Sequence, residues 1–390
     1  MRYTSVVIFL VMVFCSFILG ATLSAWVSRD LRSLAGHMRQ LSSLDFSTDS
    51  EEFRQLLCGR RSAISDVCEL QGAFCRLAQS VRTFGRFVPE SVVRNIVRGN
   101  ERALRLHVSR REVTVMFSDI RDFNDISENL SQTDLLFVLT RYLTVMTQLV
   151  EHFGGVVTEI LGDGVLAFWN TPETVEDHAA QACKAALAQQ QALSSLNTEF
   201  AALNMPQLAI RIGLHTGMVL SGNLGSATKM KFGCMGDTVN LASRLEGLCK
   251  YYDVGIMCSG ETKAAARGAV CRSLDLVQVK GKSEPTLICE VVGRDGAVPP
   301  GEPKQAVAGP VQQCKVRLYE EALAAYHRAD FVNACTHAEQ LLREQPQDKA
   351  TTKLLHRAWS HLVPDELGVV PRFSEEERAA WTGVVVMTDK

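Results

Sequence analysis

The chain has 390 residues, too many for one ordinary domain of roughly 100–200 residues, so two or three units are expected. Its 46% hydrophobic content excludes a disordered chain. The 41 basic and 43 acidic residues give a net charge of −2 and are mixed along the chain without basic runs, which argues against a nucleic-acid partner.

From Tyr3 to Ser28 no residue is charged, and Val6–Val27 is apolar over about the 20 residues that cross a bilayer. A membrane anchor over residues 1–28 is expected. A cleaved signal sequence is the alternative, although its apolar core usually runs only about 7–15 residues. Arg29, Arg32 and Arg39 follow the span, so the positive-inside rule places the rest of the chain in the cytoplasm, with no sensor of its own on the far side. The 12 cysteines agree with that compartment: they occur singly, with no C-x-x-C, and Cys183, Cys249 and Cys289 sit in apolar segments as small reduced core residues.

Residues 29–80 carry two helical patterns separated by a polar stretch near Ser47–Glu52. In the second, Ile64, Val67, Leu70, Phe74 and Leu77 recur at steps of three or four, one apolar stripe suited to a parallel partner helix. A plain coiled-coil linker is the simpler alternative to a signal relay. Residues 81–110 form a connector that includes FGRFVPESVVRNIV.

Residues 111–293 alternate strand and helix signals. Glu112–Phe117 reads as a buried strand, and Leu135–Phe153 as a helix stopped by Gly154 and Gly155. VVTEIL and VLAFW form a strand pair across a tight turn at Gly162, Asp163 and Gly164. A helix near Val175–Phe200 follows, then strands at Leu208–Leu214 and Met218–Asn223 and a helix at Asp237–Tyr251. Further strands are expected near Val254–Cys258, Leu274–Val279 and Thr286–Val292. This order is that of a ferredoxin-like α+β domain, with helices on one face of a mainly antiparallel sheet. Residues 294–312 are rich in Pro and Gly and read as a linker. Residues 313–390 read as a small helical tail with one tetratricopeptide-like hairpin, Ala322, Tyr326, Phe331, Ala334, Ala338 and Pro346 falling where that pattern wants them. One such repeat cannot bury its own face, so it is expected to pack on the preceding domain or a partner copy.

Three segments carry chemistry. FSDI puts Asp119 at a strand end, LGDG puts Asp163 at a hairpin tip, and MGDTVNLASRLEG puts Asn240 and Arg244 four apart on one helix face. Taken singly, the first is usually a cap, the second a turn, and Arg244 a surface residue solvated or paired to Glu246. Together they gain force from their order. VTVMFSDIRDF, GGVVTEILGDGVLAFW, IRIGLHTGMVLSGNLGS, MGDTVNLASRLE and VKGKSEP resemble, in sequence, the motif series of class III adenylyl and guanylyl cyclases, over about half the chain. The segment before them resembles a HAMP relay and the connector of bacterial-type cyclases.

The resemblance implies that Asp119, Ile120 and Asp163 hold two divalent cations, Mg²⁺ or Mn²⁺, that Asn240 orients the ribose and that Arg244 meets the charge of the transferring phosphoryl group. It implies a homodimer, two of these residues coming from each chain. For the triphosphate, the turn Ile120–Asn124, which contains Asp122, Phe123 and Asn124, offers backbone N–H groups. Lys282 is the leading cation there, with Lys280 and Lys229 behind it. The family often has Gly-Phe-Thr where this chain has Asp122, Phe123 and Asn124.

Base choice rests on Glu159 and Gly233. Glu159 stands four before Asp163, where adenylyl cyclases often have Lys and guanylyl cyclases have Glu. A carboxylate accepts from guanine N1–H and the exocyclic amine, whereas adenine N1 is itself an acceptor. Gly233, seven before Asn240, supplies no side chain. The surrounding bacterial-type text is usually associated with ATP and narrowly favours ATP over GTP. A catalytically silent cyclase-like regulatory or scaffold module is the alternative reading.

Overall fold

The computed structural model describes residues 2–41, 62, 64–85, 87–97, 99–100, 105–279, 284–362, 373 and 375–387. The polar stretch near Ser47–Glu52 and both Lys280 and Lys282 lie outside them. The chain divides into two units, Met1–His107 and Val108–Lys390.

In the first unit, α1 (Arg2–Leu41) runs through the apolar segment without a break. The stretch Val7–Ser33 is the one candidate span among the described residues, long and apolar enough to cross a membrane. The first relay pattern is thus a continuation of the anchor helix, because nothing between Ser28 and Leu41 caps or breaks it. α2 (Ser65–Phe84) follows, then the short α3 (Glu90–Val97). Of the predicted stripe on α2, Val67 and Phe74 are buried, whereas Leu70 and Leu77 are 52% and 58% exposed and leave an apolar seam open. Cys75 is held in a disulfide, against the expectation that the cysteines are reduced. The remaining described cysteines are free, and Cys183, Cys249 and Cys289 are buried as expected.

The second unit opens with β1 (His107–Ile120), whose central residues Val113–Met116 are all buried. The helices α4 (Phe123–Asn129) and α5 (Gln132–His152) return the chain, with Ser131 capping α5 by accepting from Asp134 N–H. β2 (Val156–Leu161) and β3 (Gly164–Trp169) form the expected hairpin, Leu161 opposite Gly164 and Gly162 in the left-handed region at φ 68°. After α6 (His178–Ala202) comes β4 (Ile210–Gly225), one long strand where two were expected. It turns back through β5 (Met230–Met235), which the sequence reading missed, into α7 (Asp237–Tyr252). β6 (Ile256–Ser259), α8 (Gly260–Ala265), β7 (Ala269–Gln278) and β8 (Thr286–Arg294) complete the sheet.

The strand order is β2-β3-β1-β4-β6-β8-β7-β9, where β9 is the short C-terminal strand Val385–Val386, with β5 paired to β4. Its first four strands carry the ferredoxin-like order, β1 and β3 side by side at the centre. One core packs α5 and α6 on this sheet through Tyr142, Met146, Trp169, Phe200 and Ile212.

The glycine of IRIGLH explains how close α7 comes to β4. A Cβ on Gly213 would stand 2.3 Å from both the Ala242 carbonyl oxygen and the Glu246 nitrogen. Only a residue without a side chain lets the helix settle there.

The tail consists of α9 (Pro310–His327), α10 (Phe331–Glu344) and α11 (Lys349–Ser360), followed by α12 (Glu375–Ala380) and β9 (Val385–Val386), which pairs parallel with β7. It shares a core with the preceding domain: Leu241, Leu245 and Tyr252 of α7 and Leu274 and Val277 of β7 pack with Tyr319, Leu323 and Leu354. Residues 294–312 are held against the domain as well, since Arg294 N–H donates to Ala306 O and Ala308 N–H to Arg294 O.

Candidate active site

Asp119 ends in β1 one residue before that strand stops, and Asp163 sits in the β2–β3 turn, so pairing of β1 with β3 brings the two carboxylates together. The Ile120 N–H donates to Asp163 Oδ2 at 3.1 Å. Burial, then the neighbouring Asp119, push the Asp163 carboxyl up to about 6. Behind the pair lie the Tyr142 and Ser118 hydroxyls, both buried and without a hydrogen-bond partner among the described residues. Burial and the two carboxylates hold the Tyr142 hydroxyl well above its ordinary range, so it stays protonated.

Two close carboxylates, one with its proton affinity raised by burial and by its neighbour, are a receptive site for a hard cation. Among the described residues no group of three or more His, Cys, Asp and Glu side chains could hold a metal. Two carboxylates alone would leave most coordination positions to water and substrate, which is how Mg²⁺ is usually held.

Arg211 was not singled out in the sequence. Two residues before Gly213 on β4, its Nε donates to Glu246 Oε1 at 2.8 Å and its Nη2 to Asp119 Oδ2 at 3.4 Å. Its side chain is only 13% exposed. It thereby ties α7 to the carboxylate pair. The available signal was a charged residue inside an otherwise apolar strand. Glu246 is engaged by Arg211 rather than by Arg244, which removes the surface-pair reading of Arg244. Arg244 is half-buried, and its Nη1 is buried with no partner among the described residues. Asn240 is exposed on the same helix.

The phosphate turn is narrower than expected. The Ile120 N–H is bound to Asp163, and the Arg121 N–H donates to Ala209 O at 2.7 Å. Asp122 is left-handed at φ 53° and lies 3.9 Å from Lys250, a cation that offsets its negative charge; Phe123 packs on the core and Asn124 is exposed. Lys229 is exposed at the β4–β5 turn, where Ser226 N–H donates to its carbonyl oxygen. Nothing joins it to the carboxylates. Glu159 on β2 forms an ion pair with Lys231 of β5, a residue the sequence reading passed over. Gly233, two residues along β5, pairs with Gly222 of β4.

Fold and site together define an α+β domain that presents two carboxylates at one sheet end, tied through Arg211 to the helix that carries Asn240 and Arg244. Residues 107–289 match the family described as adenylate and guanylate cyclase catalytic domain. Residues 107–289 thus form a domain of that family. The chain is 33% identical to adenylate cyclase 1 of Rhizobium meliloti, over 71% of this chain and 40% of the relative. To the adenylate cyclase of Anabaena cylindrica it is 32% identical, over 57% of this chain and 45% of the relative. The structure of a bacterial light-regulated adenylyl cyclase superposes with a TM-score of 0.52 at 25% identity, covering 59% of this chain and 65% of that one. The chain spans less than half the length of the two curated relatives.

Proposed function

We propose that the chain converts a purine nucleoside triphosphate, ATP or GTP, to its 3′,5′-cyclic monophosphate and pyrophosphate, acting as a homodimer that signals in the cytoplasm from a membrane anchor. The observation that carries the reading is the convergence of Asp119 and Asp163, with the Asp163 carboxyl raised to about 6 by burial and by the neighbouring Asp119.

In the reaction the 3′-oxygen bonds to the α-phosphorus, the bond to the pyrophosphate oxygen breaks, and the hydroxyl proton leaves. Two divalent cations held by Asp119, Asp163 and the Ile120 carbonyl would acidify that hydroxyl and neutralise the leaving oxygens. Arg211 keeps the Asp119 carboxylate oriented and fixes α7 beside it. Arg244, with an unspent buried N–H, meets the charge that grows on the phosphoryl oxygens. Asn240, one turn earlier, offers an amide to the ribose. The N–H groups of Asp122, Phe123 and Asn124 face the triphosphate, and Lys282, Lys280 and Lys229 are the candidate cations for its outer phosphates.

That Arg244 Nη1 is buried without a hydrogen-bond partner among the described residues supports a site shared between two copies. Leu70 and Leu77, open on α2, supply a seam on which two copies would meet, and a HAMP-like relay through residues 29–80 would set their alignment. The test is production of cyclic nucleotide by the full chain in detergent with Mn²⁺ and either ATP or GTP. The proposal expects product that disappears with Asp119→Ala or Asp163→Ala. Turnover that survives either substitution refutes it, and nucleotide binding without product from the unaltered chain supports the silent-module alternative.

A further inference from the structure

Gly233 leaves the base-reading position without a side chain, yet the strand that carries it supplies one nearby. Side chains two apart on a strand share a face, so Lys231 and position 233 look the same way across β5. Lys231 reaches Glu159 on β2, which identifies that face as the one turned to the base-reading carboxylate. Position 233 itself has room: a Cβ there would meet nothing nearer than Leu224 Cδ1 at 3.9 Å. The glycine is therefore not required by packing.

We infer that Lys231 and Glu159 act as one donor–acceptor unit that reads the purine and selects guanine. This rests on the reading of the domain as a purine-nucleotide cyclase. An ammonium has three N–H donors and a carboxylate two oxygens, so each holds the other and still contacts a base. Guanine presents the acceptor O6 next to two adjacent donors, N1–H and the exocyclic amine. Lys231 donates to O6 while the carboxylate fork of Glu159 accepts from both donors. Adenine in the same pose sets its N6 amine against the Lys231 ammonium and its N1 acceptor against the Glu159 carboxylate, donor facing donor and acceptor facing acceptor, with nothing at C2. A half-exposed ion pair with no ligand contributes little to stability, so its value lies in recognition. The bacterial-type context that favours ATP bears on neither side chain.

The test uses the full chain, with 3′-deoxy-GTP and 3′-deoxy-ATP as binding probes that lack the attacking hydroxyl, beside turnover of GTP and ATP. The proposal expects GTP to be preferred, and Lys231→Met to weaken 3′-deoxy-GTP binding and kcat/KM for GTP by about 10- to 100-fold, with ATP changed less than about threefold. The swap Glu159→Lys with Lys231→Glu keeps the ion pair and should abolish the guanine preference. A GTP-to-ATP ratio unmoved by Lys231→Met, or a preference for the adenine probe in the unaltered chain, overturns the inference. Probe discrimination without cyclic product from either nucleotide would instead overturn the catalytic reading and leave base selection standing.

Discussion

Asp163 is the residue whose protonation the fold controls most directly. Its carboxyl is raised to about 6, above the ordinary 3.8, first by burial and then by Asp119. A raised carboxyl binds its proton more tightly folded than unfolded, so its contribution to stability is present below the unfolded pKa and is lost as pH rises through about 6. Asp163→Asn removes that dependence. In metal-free buffer the melting temperature of Asp163→Asn should gain on that of the parent as pH rises from about 4 to 7. A difference constant with pH would mean that the two carboxylates do not press on one another. The Asp163→Asn protein should also lose at least about 100-fold in cyclase rate with Mn²⁺, because one metal-holding carboxylate is gone. Asp119 reads as a strand end and Asp163 as a hairpin tip, and only their place in the ordered motif series singles them out in the sequence. Arg211 was not legible: a charge in a strand reads as solvated until the helix that covers it is known.

At the level of elements, the contact of α7 with β4 fixes where Asn240 and Arg244 stand. Gly213→Ala would drive a methyl into backbone atoms of α7 at 2.3 Å, which cannot yield as a flexible side chain would. The helix must shift, and activity should fall by more than about tenfold even where the protein remains folded, because small displacements of catalytic groups are costly. Unchanged kcat with unchanged melting would contradict the assigned role of α7. The β2–β3 hairpin and α5–α7 could be read from periodicity and turn residues. β5 escaped because MKFGCM is short, carries a central Gly and lacks strict alternation. β4 was divided at His215–Gly217, where polar and small residues interrupt the apolar pattern although Gly213–Thr216 is buried. Burial under α7 and α8 decided that stretch, and local sequence does not contain it.

On the scale of the whole molecule, the tail is part of the catalytic unit. Asp275 is fully buried and accepts from Tyr252 Oη at 2.9 Å and from Arg357 Nη2 at 2.5 Å. Lys349 of α11 reaches Asp253 at 3.0 Å, and Asp253 also binds Arg121, next to Ile120. The C-terminal end of α7 is therefore clamped by helices some hundred residues later in the chain. Removing one partner of a buried ion pair costs about 3–5 kcal/mol, so Arg357→Met should lower unfolding stability by that order and reduce cyclase activity with it. A loss below about 1 kcal/mol in a denaturant titration would contradict the clamp. The sequence indicated that one helical hairpin must find a surface to cover. It did not show which, because the charges that fix it, Arg272, Asp275, Asp348 and Arg357, come from segments far apart.

A site divided between two copies makes a demand no single chain can meet. Asp119→Ala and Arg244→Ala should each be silent alone, since each homodimer lacks one half of both sites. Co-expressed, they form mixed dimers with one intact site, and cyclic nucleotide production should return to about a quarter of that of the unaltered chain, given random pairing. Mixed dimers that form and yet remain silent, or activity in either variant alone, would contradict a shared two-metal cyclase site.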